Sequence, residues 1–344
     1  MSSAQIQRTP TRWQRAGPVI TLLLAAPVLS ELLSGSTRVS TLFVLVPSTG
    51  VWGCAALLIR EAVRRRNGPQ PAILLLGLAL AIAEECLIQQ TSLAPVIGMA
   101  PDRVYGRALG VNWVYFLWAL GFESVWAVVL PIALVELLFP ERRDEPWLGR
   151  RGVWISAAVF LLASLVAWFS WTQVFLPKFF PKSVYRVPLV ATGCALAVIA
   201  GLMFVATRLK PDWRPEGQAP CPLLRPWLTG AVAFALALPW YLQVLLAFGA
   251  APRVPPAAAL LGGVALASGA FWVLQHWSGT AAWSNAHRLS LICGALLATL
   301  VGGAVTLTVG KALLLDRIGQ VGFNLVALLC LFKARRALPP AGAA

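Results

Sequence analysis

Three glutamates stand where an apolar chain can least accommodate them. Glu84 and Glu85 fall at the midpoint of the stretch from Asn67 to Pro101, which has no other charged residue. Glu123 falls near the midpoint of the next such stretch, between Arg107 and Glu141, where Glu136 lies closer to the far end. If both stretches cross a bilayer, the three carboxylates sit near its centre on adjacent, antiparallel spans. An ionisable side chain there costs on the order of 3 kcal/mol or more and normally faces the interior of a bundle. Carboxylates gathered in a low dielectric cannot all ionise together. Such a group can divide acid and base roles or load and release protons.

Residues three, four and seven apart share a helix face. Glu85, Gln89 and Ser92 are therefore expected to form one polar stripe, with Glu84 and Thr91 on a parallel one. Asn112 precedes Glu123 by eleven residues, nearly three turns, which places the two on one face about 16 Å apart. The expectation is a polar track leading from the outer surface to the carboxylates. His276 lies on the cytoplasmic side of its span's midpoint, by about 8–9 Å. Gln243 and Asn324 are central in their spans, where a lone amide usually joins helices. Glu31 sits near an outer end, with Arg38 as the expected partner.

These residues need a membrane to position them, and the composition supplies it. The chain of 344 residues is 58% hydrophobic and 12% charged, with a mean hydropathy of +0.75. Soluble domains carry roughly 25% charged residues, so no separate soluble domain fits. Apolar runs long enough to cross a bilayer lie near 18–35, 40–60, 71–98, 109–138 and 152–175, then 188–207, 227–250, 257–277, 289–310 and 318–332. The expected fold is all-α, a polytopic transmembrane bundle of about ten spans forming a single domain over residues 1–344.

Of the 28 Lys and Arg residues, 19 fall on one side of these spans and 9 on the other. That bias places both termini in the cytoplasm, with a basic segment at 1–17 and a short tail at 333–344. The first run, with its basic start and Pro27, also fits a cleaved signal peptide, which would leave nine spans. The last holds about 15 residues between Arg317 and Lys333, roughly 22 Å of helix against a core of about 30 Å. Among fifteen Trp residues, Trp13, Trp147, Trp154, Trp213 and Trp227 lie at span ends, where indoles favour the interface. Trp118, Trp126 and Trp272 fall within spans, either lining a cavity or packing.

The net charge of +15 is spread in short clusters between apolar runs, with no basic face carrying interleaved aromatics, so nucleic-acid binding is excluded as a reading. Six scattered cysteines show neither a disulfide framework nor zinc spacing. No cofactor signature is present. Glu84, Glu85 and Glu123, with His276, are donors of the type that a divalent metal such as zinc or manganese accepts.

The run Ala83-Glu84-Glu85-Cys86-Leu87-Ile88-Gln89 resembles the first motif of the CPBP family, intramembrane proteases that include CAAX-processing enzymes. The resemblance implies that one of the two glutamates activates water, while histidine and asparagine groups stabilise the oxyanion. Gln89 stands where that family has arginine, and Glu123 lies on the span where its first histidine is expected. Trp272 and His276 match the aromatic-x-x-x-His spacing much later in the chain, and no His-x-x-x-Asn follows. The chain is also similar to bacterial polytopic membrane proteins of unassigned activity, in which a stretch like Leu58-Ile59-Arg60-Glu61 precedes a two-glutamate helix and one like Pro131 to Glu136 follows it.

The resulting expectation is an intramembrane hydrolase in a bacterial cytoplasmic membrane, with the lipid bilayer and a membrane peptide or small molecule as partners. A proton-coupled transporter or permease and a non-catalytic scaffold subunit are the alternatives.

Overall fold

A computed structural model describes residues 12–94, 104–179, 187–210, 224–247, 254–280, 282–310 and 312–337. The expected basic segment before Arg12, Pro95, Trp213, Cys221 and the end of the tail lie outside them, as does the side chain of Trp13. Ten helices among the described residues are long and apolar enough to cross a membrane. They are α1 (Arg15–Leu32), α2 (Val39–Arg64), α3 (Gln70–Ile88), α4 (Trp113–Leu138), α5 (Arg150–Lys178), α6 (Leu189–Arg208), α7 (Pro226–Ala247), α8 (Pro256–Ser278), α9 (Asn285–Val309) and α10 (Leu314–Arg336). The chain is a multi-pass helical membrane bundle.

Burial sorts these helices into an inner and an outer set. In α3, α4 and α9, 56% of the apolar window is covered by the rest of the protein, against 6% in α5 and 11% in α6 and α8. Large apolar side chains on the outer helices, including Trp154, Leu162, Phe204 and Leu261, are exposed, as befits a lipid-facing surface. The glutamates belong to two of the three helices that the bundle encloses most.

Close packing at the centre rests on small residues. The most extensive helix pair is α7 with α9, where a Cβ at Gly294 would strike the Gly230 carbonyl and one at Gly302 would strike the Tyr241 ring. Gly77 likewise lets α3 approach α4 at Ser124, with only 3.2 Å left for a Cβ. Gly294→Ala is expected to lower stability by about 1–3 kcal/mol, because backbone rather than a flexible side chain must give way. Gly193, on α6 with open space around it, is the control. Thermal unfolding of both alanine variants in detergent should show a drop only for Gly294→Ala.

Several spans contain a π-helical turn: Val28–Leu32 in α1, Thr49–Gly53 in α2, Glu84–Ile88 in α3, Glu123–Val129 in α4 and Ser170–Phe175 in α5. In α4 the turn ends just before Pro131, whose missing N–H already denies the Ala127 carbonyl its α-helical donor. Such turns often accompany functional sites. Here two of them begin on the expected site residues.

One end of the bundle is held by buried ion pairs. Arg60 Nε donates to Glu136 Oε1 at 3.0 Å, and Arg64 NH2 donates to both Glu136 oxygens at 2.8 Å. The Arg60 guanidinium also stacks 3.3 Å above the Trp147 ring and donates to the carbonyls of Arg143 and Glu145 at 2.6 and 3.1 Å. Glu61 accepts from the backbone N–H groups of Trp147 and Leu148. One cluster therefore ties α2, α4 and the loop after α4. Trp147 is a partner in it rather than an interfacial anchor, whereas Trp154 and Trp227 are exposed at helix ends.

The last span is longer than its apolar run implied. α10 runs 23 residues from Leu314 to Arg336, about 35 Å, and carries Arg317 and Lys333 within its ends, where long side chains reach the interface. The first is packed as a core helix, with Leu22 and Ala26 fully buried.

Candidate functional site

Glu84 and Glu85 begin the π turn that ends α3, and Glu123 begins the one within α4. Glu84 and Glu85 are each 1% exposed. One carboxylate oxygen from each of the three lies within 4.8 Å of the other two. The convergence expected from their shared depth is what the helices produce.

The carboxyls of Glu85 and Glu123 share a hydrogen bond, and Tyr115, two turns before Glu123, also bonds Glu85. Gln89 bonds Glu84. Ser92 donates to Glu85 Oε2 twice, from its backbone N at 2.9 Å and from Oγ at 2.6 Å. Glu84 Oε1 and Glu123 Oε2 are buried with no hydrogen-bond partner. Among the described residues, none of the three carboxylates forms an ion pair.

Ser92 reaches Glu85 by a route other than a helical stripe. The helix stops at Ile88, Gln90 takes a left-handed backbone (φ 61°), and the chain turns back over the carboxylate. Asn112 also departs from expectation. It sits in a short hairpin, β1 (Arg107–Ala108) and β2 (Val111–Asn112), rather than on the face of α4. Leu109 and Gly110 both have positive φ (51° and 79°), the geometry of a tight two-residue hairpin turn. The fully buried Asn112 bridges this hairpin to the 90–94 turn, its Nδ2 donating to the carbonyls of Thr91 and Ala94 at 3.2 and 2.7 Å. Its backbone N donates to Ser92 O at 2.8 Å, and Arg107 donates to its Oδ1 and to Leu93 O. The expected polar track is thus a polar cap over the cluster. Ser92→Ala removes one charge-assisted bond to Glu85 and should cost about 1–3 kcal/mol, read as a lower unfolding midpoint. A change under about 0.5 kcal/mol would leave the cap without the role described.

His276 is not brought to this cluster. It lies in the last turn of α8, where Nδ1 contacts the Trp272 carbonyl at 2.8 Å and the two rings lie 4.2 Å apart. The aromatic-x-x-x-His spacing is a local pair on one helix, and Trp272 is exposed. The donor set for any metal therefore reduces to the three carboxylates. Their spacing suits oxygen ligands around a hard cation, which lie up to about 5 Å apart at bond lengths of 2.0–2.6 Å.

A fourth carboxylate lies at the edge of the site. Glu31, on the π turn of α1 that packs against the π turn of α4, is within electrostatic reach of Glu84 and Glu123. It accepts from Trp52 Nε1 at 3.0 Å and Thr37 Oγ1 at 3.2 Å, in place of the expected ion pair with Arg38. Sequence position pointed to Arg38 because it was the nearest opposite charge. Tyr115 was also missed, though a hydroxyl two turns from Glu123 was a readable signal.

No family model matches the chain, and no curated protein or solved structure matches it.

Proposed function

We propose that the glutamate cluster is the proton-binding site of a proton-coupled transporter or permease in a bacterial cytoplasmic membrane, with both termini inside. The observation that carries this reading is the hydrogen bond shared by Glu85 and Glu123 beside two buried, unpartnered carboxylate oxygens. Two carboxyl groups share a hydrogen bond only if one of them holds a proton. The unpartnered oxygens are further acceptor positions within the same buried cluster. Carboxylates enclosed by transmembrane helices, with no cation paired to them, commonly serve as proton relays. The two-to-one basic bias of the loops supports the orientation.

The test uses protein reconstituted in liposomes loaded with a pH-sensitive dye, challenged with a panel of small solutes under an imposed membrane potential. Solute-driven internal acidification that is lost in Glu123→Gln supports the reading. Acidification that persists in that variant, or none with any solute, overturns it. Quenching by Mn2+ entry in place of a pH change would assign the carboxylates to a divalent cation instead.

A second reading is an intramembrane hydrolase, favoured by the adjacency of Glu84 and Glu85 and by the CPBP resemblance. Glu84 would be the general base through its unpartnered oxygen, with Tyr115 beside Glu85 as the nearest hydroxyl donor. Geometry decides such a role before basicity does, and no histidine stands near to steady an oxyanion. Cleavage of a membrane peptide by wild type but not by Glu84→Gln would favour this reading over transport.

A further inference from the structure

Beyond the glutamates, the bundle holds two adjoining cavities whose chemistry changes along their length. The larger, about 430 Å3, is walled by α3, α4, α7, α8 and α9 and lined almost wholly by apolar side chains. The smaller, about 210 Å3, lies toward the ion-pair end and is lined by Gln70, Glu136, Arg143, Ser278, Trp283 and Arg288 together with aliphatic residues. Leu130, Leu274 and Leu291 line both, so the two form one groove. Glu123 is not among the residues of either.

The charge at the narrow end is unbalanced. Both oxygens of Glu136 are already taken by Arg60 and Arg64. Among the described residues, no carboxylate lies within ion-pair distance of Arg143 or Arg288, and Arg143 Nε is buried without a partner. Asp144 is within electrostatic reach of Arg288 but forms no ion pair with it. Two unpaired guanidiniums therefore head an apolar groove, with the Trp283 indole beside them. The wall is open to the lipid side, since Phe271 and Leu274 of the peripheral α8 are 42% and 39% exposed.

We infer that this groove binds an anionic phospholipid of the bilayer, its phosphate between Arg143 and Arg288 and an acyl chain along Leu130, Leu274 and Leu291. Guanidiniums match phosphate oxygens in planar, forked geometry, and basic pockets between transmembrane helices suit anionic headgroups. The volume falls in the range of about 300–1,000 Å3 typical of ligand sites. Charge alone would accept free phosphate; the apolar length behind it selects a lipid.

The test is native mass spectrometry of the purified full chain in neutral detergent, titrated with phosphatidylglycerol or phosphatidylcholine. The expected result is a retained phosphatidylglycerol with at least tenfold preference over phosphatidylcholine. Arg288→Gln should reduce that preference at least tenfold and Arg288→Lys less. If Arg288→Gln is not monodisperse, Leu274→Trp fills the groove from a half-exposed position and should displace the same lipid. Equal binding of the two lipids, retention unchanged in Arg288→Gln and Leu274→Trp, or displacement by millimolar inorganic phosphate would each overturn the inference. None of these outcomes depends on the proton-binding reading of the glutamates.

Discussion

Glu136→Ala is expected to leave little folded protein. The carboxylate it removes is 3% exposed and bonds Arg60 and Arg64, of which Arg60 is fully buried. Breaking a buried pair by removing one partner costs about 3–5 kcal/mol, because the surviving charge keeps its desolvation penalty and loses its compensation. Here two guanidiniums lose their shared carboxylate, and among carboxylates Arg60 keeps only the longer contact to Glu61 at 3.8 Å. A domain's whole margin is about 5–15 kcal/mol, so the loss approaches the total. Arg60 also holds the Arg143 and Glu145 carbonyls, and the loop after α4 should loosen with it. The measurements are yield, monodispersity and unfolding midpoint in detergent. Glu136→Gln, which keeps one acceptor oxygen, should fall between wild type and alanine. A Glu136→Ala protein that unfolds within a few degrees of wild type would show that the ion pairs do not hold this end.

Glu85→Gln should do the opposite: abolish function and leave the fold intact or firmer. Its carboxyl sits among Glu84, Glu123, Ser92 and Tyr115 with no cation to lose. A neutral amide still accepts from Ser92, and replacing buried ionic groups by neutral ones of similar volume is often neutral or stabilising by about 1–4 kcal/mol. An amide cannot carry the exchangeable proton, so solute-coupled proton uptake should fall by at least about 100-fold, a barrier increase of roughly 2.7 kcal/mol. Unfolding midpoint and coupled uptake are measured on the same preparation. A loss of both together would make Glu85 a packing residue; loss of neither would remove it from the site. The contrast with Glu136 is one of sign, and it separates a carboxylate kept for the fold from one kept for chemistry.

The spans were legible because about twenty apolar residues in a row have few alternatives to a transmembrane helix. Their ends were less so. Residues 89–94 carry no charge that would mark a boundary, and only the left-handed Gln90 with the back-turned Ser92 ends α3 at Ile88. In α10 the charged Arg317 and Lys333 suggested boundaries that the helix passes through. Glu84, Glu85 and Glu123 were readable from depth alone, since two antiparallel neighbours with midpoint carboxylates must bring them level. Asn112 lies in a hairpin rather than on the face of α4, because helical spacing was extended through a turn it does not describe. His276 failed because i,i+4 spacing describes one helix's own face and says nothing of what that face meets. Glu31 was hidden by the nearby Arg38, a partner that sequence proximity suggested and packing did not use.

The π turns have a consequence for angular phase. Each contains one residue more than an α-helix of equal rise needs, and one residue is about 100° of rotation. In α4 the turn separates Glu123, which faces the other carboxylates, from Glu136, which faces two guanidiniums. The surplus residue sets the angle between those two faces. Winding the same residues as regular α-helix would lengthen the span by only about 1.5 Å, a length a bilayer absorbs, yet would turn one half of the helix by about 100° away from its partners. The π winding of this segment is therefore required by rotation rather than by membrane thickness.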